Sequence, residues 1–470
     1  MVHVETGHDL ATRPENPVAE PVRYRGRPWL TLVAAVLGGA MVGLDGTATT
    51  IAAPYISASV GATLGELELI ANAYLVALAV GLLPAGRLAD RIGRRATFVA
   101  GVVGFGLASL GIALSGGVWA LVLFRVLQGF AGALLQPAAL ALLRNAFPTD
   151  RLGLPLGIWG GANALAIGLG PVIAGVVVQG WGWPAVFLLN LPVAAAVVAL
   201  TCYAAVESRG ERRPVPGAVR ALVGRRAVHL GSALVGVSSF GVFGLLFLLT
   251  LYLQNVRGLA PVQAGAWMLT PTCVVVLSAP LGGLLAQRFG PRWPVAAGLL
   301  LVAGGLATLA GLDPRSTFGD LLLPGALVGF GTGMCAIAAT EAILGATPEG
   351  DTGTASAVQQ IASQLGGVLG IATVGAVMAW QVGQTLPTRV AQAGLPGPIG
   401  TAVLADQDAV AQGTVPAGFD GLGESAVAGA VRAVSQWGFT DAMGAALLVA
   451  AAVTAVGAVA ALLLPRPAAR

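Results

Sequence analysis

Long apolar runs that carry almost no charge recur along the whole chain, and they restrict its fold more than any other feature. Each run is long enough to cross a bilayer as one α-helix, which needs about 20 apolar residues. Charged residues make up only 10% of the 470 positions, against roughly 25% in soluble domains. The sequence therefore predicts an all-α integral membrane protein. A transmembrane barrel would require shorter, alternating segments.

Counting the runs predicts twelve transmembrane helices in two groups of six. The first group covers 29–53, 68–89, 96–116, 118–143, 153–177 and 184–206. The second group covers 228–255, 263–286, 293–312, 319–345, 354–380 and 439–464. The predicted domains are an N-terminal tail, a first bundle, a basic linker, a second bundle and a C-terminal tail, at 1–28, 29–206, 207–227, 228–464 and 465–470. Within the second bundle, 381–438 is expected to be an extracellular loop, either a lid or a spacer with a short surface helix.

The positive charge of the chain is distributed as a topology signal. All 25 basic residues are arginines. If the N-terminus is cytoplasmic, twenty arginines fall on cytoplasmic segments and four, Arg257, Arg315, Arg389 and Arg432, fall outside. This excess follows the positive-inside rule, and it predicts a plasma-membrane protein with both termini in the cytoplasm. A nucleic-acid partner is excluded, because it would need a clustered basic face on a soluble domain.

The stretch GRLADRIGRR at 86–95 concentrates charge in a short turn after the second predicted span. A related stretch, GLLAQRFGPR at 283–292, ends the second span of the other half. An ordinary basic turn explains one copy, but repeats at matching positions are typical of secondary transporters with two duplicated halves. The residues of the first copy that we predict to control conformational gating are Gly86, Asp90, Arg91, Gly93 and Arg94.

These and other motifs resemble the major facilitator superfamily, in particular its drug:proton antiporter branch. The stretches that carry the resemblance include GRLADRIGRR (86–95), LDGTATTIAAP (44–54), RVLQGFAGA (125–133) and GPVIAG (170–175). The resemblance implies the major facilitator fold, with two pseudo-symmetric six-helix bundles, and export of a small lipophilic molecule in exchange for protons, without a cofactor or metal. Most members of this branch have fourteen helices, but residues 207–227 leave no room for two more.

Two ionisable residues lie deep in the predicted spans. Asp45 in the first span and Arg125 in the fourth fall at similar depth, which permits a direct or water-mediated pair. One interpretation is a static buried ion pair. The other is a proton switch, because burial and a nearby guanidinium change the proton affinity of a carboxyl group in opposite directions. The resemblance places a coupling acid at this position of the first span.

The fifth predicted span is rich in small residues around GPVIAG. Gly170, Pro171 and Gly175 fit either general helix packing or a hinge and dry seam that prevents proton leak. The resemblance links this motif with antiporters and therefore favours export. Uncharged polar residues in the spans either bond neighbouring helices or line a substrate cavity. These candidate substrate contacts are Asn72, Gln128, Asn163, Gln254, Gln360 and Gln364.

Further acidic residues have weaker assignments. Glu341, near the cytoplasmic end of the tenth span, is either a substrate contact or a side chain that snorkels to water. Glu66, Glu68 and Asp441 fall at outer helix ends, where solvation is expected and proton entry is the alternative. The leading function is therefore proton-coupled export by a monomer. The alternatives are an uptake symporter and a non-transporting sensor or channel; no metal cluster or nucleophile motif indicates an enzyme.

Overall fold

The structure is a computed structural model that describes residues 26–148, 151–209, 224–347, 351–416, 419 and 425–465. The described residues form helices and connections, with no strand among them. Most of the predicted N-terminal tail, the core of the basic linker and most of the C-terminal tail lie outside the described residues, at 1–25, 210–223 and 466–470.

The first half contains six membrane spans, the last of which is broken. Its helices are α1 (Pro28–Val60), α2 (Leu64–Ile92), α3 (Arg94–Ala113), α4 (Val118–Ala146), α5 (Gly153–Trp181), α6 (Trp183–Leu188) and α7 (Asn190–Ala204). Helices α6 and α7 are separated only by Leu189 and together form the sixth span. Thr63 starts α2 with a capping box, since its side chain and that of Glu66 satisfy each other's backbone N–H groups.

The second half repeats the arrangement. Its helices are α8 (Arg226–Leu251), α9 (Pro261–Phe289), α10 (Arg292–Leu309), α11 (Phe318–Gly345), α12 (Thr352–Gln392), α13 (Gly397–Ala405), α14 (Gln407–Ala411) and α15 (Ala426–Ala461). Helix α8 continues into a π-helical turn, Tyr252–Val256. In the described part of the chain, twelve helical segments are long and apolar enough to cross a membrane, which confirms the predicted fold class.

The two halves meet along two helix pairs. Helix α5 of the first half packs against α9 of the second, and α2 packs against α12. Within each half, α2 with α4 and α9 with α11 form the corresponding internal contacts. The matching positions of these pairs in the two halves agree with the internal repeat seen in the sequence.

The halves are closely packed at one end of the bundle, which contains the connections 61–63, 114–117 and 257–260; we call it the closed end. Gly161, Gly168 and Gly175 repeat every seven residues and therefore share one face of α5. Gly175 and Gly168 lie against Pro261 and Cys273 of α9, whereas a Cβ on Gly161 would meet no atom within 4 Å. The halves thus separate toward the opposite end.

The long loop predicted at 381–438 is largely helical, which corrects the predicted boundaries. Helix α12 continues to Gln392, α15 begins at Ala426, and the short helices α13 and α14 lie between them. Both long helices extend past the apolar runs, and Arg389 on α12 is paired there with Asp441 on α15. The hydropathy pattern made both spans too short because polar residues outside the apolar runs, such as Arg389 and Arg432, lower the local hydropathy.

Candidate transport site

Asp45 is held inside the first half by the local structure of α1. Three threonines follow it, and their hydroxyls bond carbonyls of the preceding turn: Thr49 Oγ1 donates to Asp45 O at 2.9 Å and Thr50 Oγ1 to Thr47 O at 2.6 Å. Such bonds satisfy hydroxyl groups within an apolar helix. The Asp45 carboxylate faces α4, and only 1% of the residue is exposed.

Arg125 of α4 and Gln128, one turn later, complete a buried polar cluster with Asp45. Arg125 Nη1 donates to Asp45 Oδ2 at 2.5 Å and to Gln128 Oε1 at 2.6 Å. Gln128 Nε2 donates to Asp45 Oδ1 at 2.9 Å. Each member thus bonds both others. The predicted proximity of Asp45 and Arg125 is present in the structure, and their role in proton coupling stays a prediction.

Three more side chains support this cluster. Gln128 Nε2 donates to Ser109 Oγ of α3 at 2.9 Å, and Asn190 Nδ2 of α7 donates to the same oxygen at 3.1 Å. Asn190 Nδ2 also reaches Asp45 Oδ1 at 3.5 Å. The Arg125 guanidinium lies over the ring of Tyr74 on α2, with 4.2 Å from Cζ to the ring centroid.

Sequence reasoning missed Ser109 and Tyr74. A single serine or tyrosine in an apolar span has no distinguishing pattern, because serine commonly bonds its own helix and tyrosine commonly packs. The sequence signal for a polar cluster near these residues was Asn190, whose amide interrupts an apolar run at the start of α7.

A small cavity of about 20 Å³ lies between the halves beside this cluster, with room for about one water molecule in this conformation. Arg125 and Tyr74 line it from the first half, and Phe243, Phe247 and Ile371 line it from the second. Thr49 and Thr50 of α1 supply hydroxyl groups to the same wall. The ion pair is therefore buried within the first half but adjoins a space whose shape depends on both halves.

The seam between α5 and α9 uses the GPVIAG motif. Pro171 O lies against Gly265 of α9, and Gly175 lies against Pro261, so backbones approach without intervening side chains. Gly170 faces the opposite way and packs on Thr47 of α1. The motif residues therefore pack both within the first half and between the halves.

The proline of this motif changes the hydrogen bonds of α5. Pro171 has no N–H, so the carbonyl of Ile167, four residues earlier, lacks its usual helical donor. Thr47 Oγ1 of α1 donates to Ile167 O at 3.1 Å in its place. On the adjacent face, Thr272 Oγ1 of α9 donates to Gly168 O at 2.9 Å and links the two halves.

The turn GRLADRIGRR lies at the end of the bundle opposite the closed end. Gly93 has φ +122°, and the carboxylate of Glu207 occupies the space beside its Cα. That carboxylate accepts from Arg95 N and Ala96 N, both at 3.0 Å, and so caps the N-terminus of α3. A side chain at position 93 would therefore meet both backbone strain and the Glu207 carboxylate.

The other gating candidates of this turn are less constrained. Asp90 and Arg94 form a partly exposed pair with 3.8 Å between Oδ1 and Nη2. Arg91 is exposed, and Gly86 faces open space. In the second copy, Gln287 Nε2 donates to Glu341 Oε1 at 3.3 Å. Glu341 is therefore a half-buried residue beside the repeated turn.

The remaining candidate substrate contacts do not form one site. Gln254, in the π-helical turn, donates to Ile51 O at 3.1 Å across the closed end. Asn163 bonds its own helix at Trp159 O, at 2.7 Å. Asn72 is half-buried, and its Oδ1 has no hydrogen-bond partner. Gln364 is buried and Gln360 half-buried on α12.

Comparison with known proteins connects this architecture with a family. The family model of the Major Facilitator Superfamily matches residues 35–371. The chain belongs to this superfamily. As a superfamily member it is a multi-pass membrane transporter and not an enzyme. The match spans the Asp45 cluster, both turns of the repeat and the α5–α9 seam, so all of these features lie within the family's shared domain.

Several curated relatives of this superfamily member are resistance proteins. The chain is 37% identical to the tetracenomycin C resistance and export protein of Streptomyces glaucescens, over 93% of this chain and 92% of the relative. It is 31% identical to the multidrug resistance protein Stp of Mycobacterium tuberculosis, over 80% of each. These relatives agree with the drug:proton antiporter branch indicated by the motifs.

Solved structures share the fold at low sequence identity. A bacterial homologue of the human lysosomal transporter Spinster, in an inward-facing and unoccupied conformation, gives a TM-score of 0.75 at 18% identity, covering 94% of this chain and 99% of that one. A D-xylose–proton symporter gives 0.60 at 16% identity, covering 73% and 89%. At these identities the likeness extends to the fold alone.

Proposed function

We propose that this protein is a proton-coupled antiporter that exports hydrophobic small molecules across the plasma membrane by alternating access. The observation that carries the proposal is the buried cluster of Asp45, Arg125 and Gln128 beside a cavity formed by both halves. An intramembrane carboxylate beside such a space is a natural proton carrier. The export proteins among its relatives support drugs or natural products as cargo.

The arginine distribution supports an orientation for the cycle. With both termini cytoplasmic, the turns at 86–95 and 283–292 face the cytoplasm and the closed end faces outward. The conformation described above would then be open toward the cytoplasm, ready to receive cargo from inside the cell. We expect a monomer to suffice, because the cavity and the cluster are built within one chain.

Protonation of Asp45 would couple the transfer of protons to the export of cargo. A proton added to the carboxylate removes its charge, so the bond from Arg125 Nη1 loses its charge–charge component while the guanidinium stays positive. Arg125 is then left in a buried site without its anionic partner, which is unfavourable. Movement of the halves that hydrates Arg125, or cargo that contacts the cavity wall, relieves this cost. Exchange follows if cargo and proton favour opposite states.

The close packing of α5 against α9 favours coupled antiport over an uncoupled leak of protons. Backbone-to-backbone packing at Gly175 and Gly265 leaves little space for a continuous water path between the halves. A proton would then cross only by binding Asp45 and moving with the conformational change.

The test is transport by the purified chain in proteoliposomes, with tetracenomycin C and hydrophobic cations as probes. An acidic lumen should drive probe accumulation, because protons leave as the probe enters. Asp45→Asn should abolish this accumulation, since the amide cannot carry the proton. Asp441→Asn is the matched control: it also neutralises an arginine-paired aspartate in a spanning helix, and it should retain accumulation.

Two outcomes would contradict the proposal. Undiminished gradient-driven accumulation by Asp45→Asn would remove the coupling role of that residue. Accumulation by the wild-type protein only when the outside is acidic would replace antiport with symport.

A further inference from the structure

Glu68 of α2 is a contact between the two halves at the closed end. Its carboxyl group occupies the space in which a Cβ on Gly375 of α12 would lie. Two turns further along the same seam, Leu75 lies beside Gly367, with Cδ1 3.5 Å from the position of a Cβ there. Glu68 was expected to be solvated, but it is half-buried between the helices, because glycine on α12 leaves room for it.

No cation or hydrogen-bond donor within the described residues neutralises this carboxyl group. Arg125 of α4 reaches α2 at Ile70 O, at 3.4 Å, but its guanidinium is bonded to Asp45. On its own helix, Glu66 is turned back onto Thr63. Helix α12 offers the backbone of Gly375.

The nearest element with a charged group is α14, and that group is also acidic. Asp408 accepts from Leu64 N at 3.0 and 3.2 Å and from Gln412 Nε2 at 2.6 Å. These three bonds hold the Asp408 carboxyl group at the N-terminus of α2. Leu64 lies one helical turn before Glu68, so the acidic group of Asp408 lies near Glu68 and disfavours a negative charge there.

We infer that Glu68 is a protonation-dependent latch of the closed end, which stays closed while Glu68 carries a proton and opens more readily once the proton is lost. This inference rests on the alternating access proposed above. An ionised carboxylate held against helix backbone without a donor is unfavourable. Separation of α2 from α12 lets water reach the carboxylate, so ionisation and opening favour each other.

The experiment measures the distance between the halves at the closed end. Spin labels are placed by Leu114→Cys in the α3–α4 connection and Arg315→Cys in the α10–α11 connection. The background chain has Cys202, Cys273 and Cys335 replaced by serine. The full-length protein in lipid nanodiscs should show a growing long-distance population as the pH rises from about 5 to about 9, a range that covers hydrated and buried carboxyl groups.

Glu68→Gln should keep the short distance throughout this range, since its amide cannot ionise. Glu66→Gln is the matched control: it lies two residues away on the same helix, is turned away from α12 and should keep the wild-type pH response. A pH-independent distance in the wild-type protein, or an unchanged pH response in Glu68→Gln, would overturn the latch.

A second pair of variants distinguishes the proposed effect from misfolding of the variant chain. Gly375→Ala places a methyl group where the flexible Glu68 carboxyl group lies, so this group is displaced from the seam and the pH response should weaken. Adding Glu68→Ala to this variant removes both the clash and the ionisable group, so the short distance should persist at every pH, which a misfolded chain would not show. No effect of Gly375→Ala would also count against the latch. Probe accumulation measured on the same wild-type preparation decides the proposed function separately.

Discussion

At the scale of single residues, the contacts of the Arg125 guanidinium depend on its planar shape as well as on its charge. It bonds Asp45 and Gln128 through one nitrogen, reaches Ile70 O through Nε and lies flat over Tyr74. A lysine ammonium could replace the charge but not the planar stacking or the separate directions of these bonds. We therefore expect the site to need arginine at position 125 and not merely a cation.

A substitution of Arg125 that conserves its charge should therefore reduce transport. Arg125→Lys should lower gradient-driven accumulation by at least about tenfold, corresponding to roughly 1.4 kcal/mol, because the lost stacking and bonds weaken the cluster. Initial rates in proteoliposomes at matched protein density measure the effect. Tyr74→Phe keeps the ring and loses only a long bond to Val42 O at 3.4 Å, so it should stay near wild type. Equal activity of Arg125→Lys and wild type would contradict this account.

At the scale of elements, the sequence predicted the twelve helices because hydropathy reports on burial in lipid, which is a local property. It also placed Asp45 and Arg125 at similar depth, which permits the ion pair that the structure contains. It could not predict the partners of Glu207 or Glu68, because each contacts a backbone distant in sequence. The helical end of α12 was missed for a similar reason: Arg389 finds its partner, Asp441, only after folding.

The turn between α2 and α3 gives a prediction at this scale. Gly93→Ala should destabilise the protein by roughly 1–3 kcal/mol, since it forces a side chain into a strained backbone conformation. It also displaces the Glu207 carboxylate from the N-terminus of α3. Thermal unfolding in detergent measures the loss. Gly86→Ala, in the same turn but facing open space, is the control and should have little effect. A Gly93→Ala variant as stable as Gly86→Ala would refute the explanation.

At the scale of the whole molecule, the closed end is fastened by contacts that must break if the halves exchange conformations. Ser57 Oγ donates to Gln412 Oε1 at 2.7 Å, and Gln412 Nε2 donates to Ala62 O at 3.1 Å. With the bonds from Gln254 and Leu64, these contacts join α1 and α2 to the second half. Cargo released through this end would have to disrupt them together.

Locking this end should therefore stop transport. In the cysteine-free background, Ser57→Cys with Gln412→Cys, joined by a short thiol-reactive cross-linker, should abolish probe accumulation, because the halves cannot separate there. Binding of a fluorescent probe from the opposite end should persist. A cleavable linker should restore transport on reduction, and each single-cysteine variant is a control. Accumulation through a fully cross-linked protein would contradict alternating access.

The cap that Glu207 forms on α3 has a mechanical consequence for the connection between the halves. Arg94 N also bonds Ser208 O at 2.9 Å, so the chain leaving α7 is fastened to the first half before it crosses to the second. A force transmitted along this connection would act on the turn between α2 and α3 rather than on α7. The arginine turn between α2 and α3 is thus the point at which movement of the second half would act on the first half.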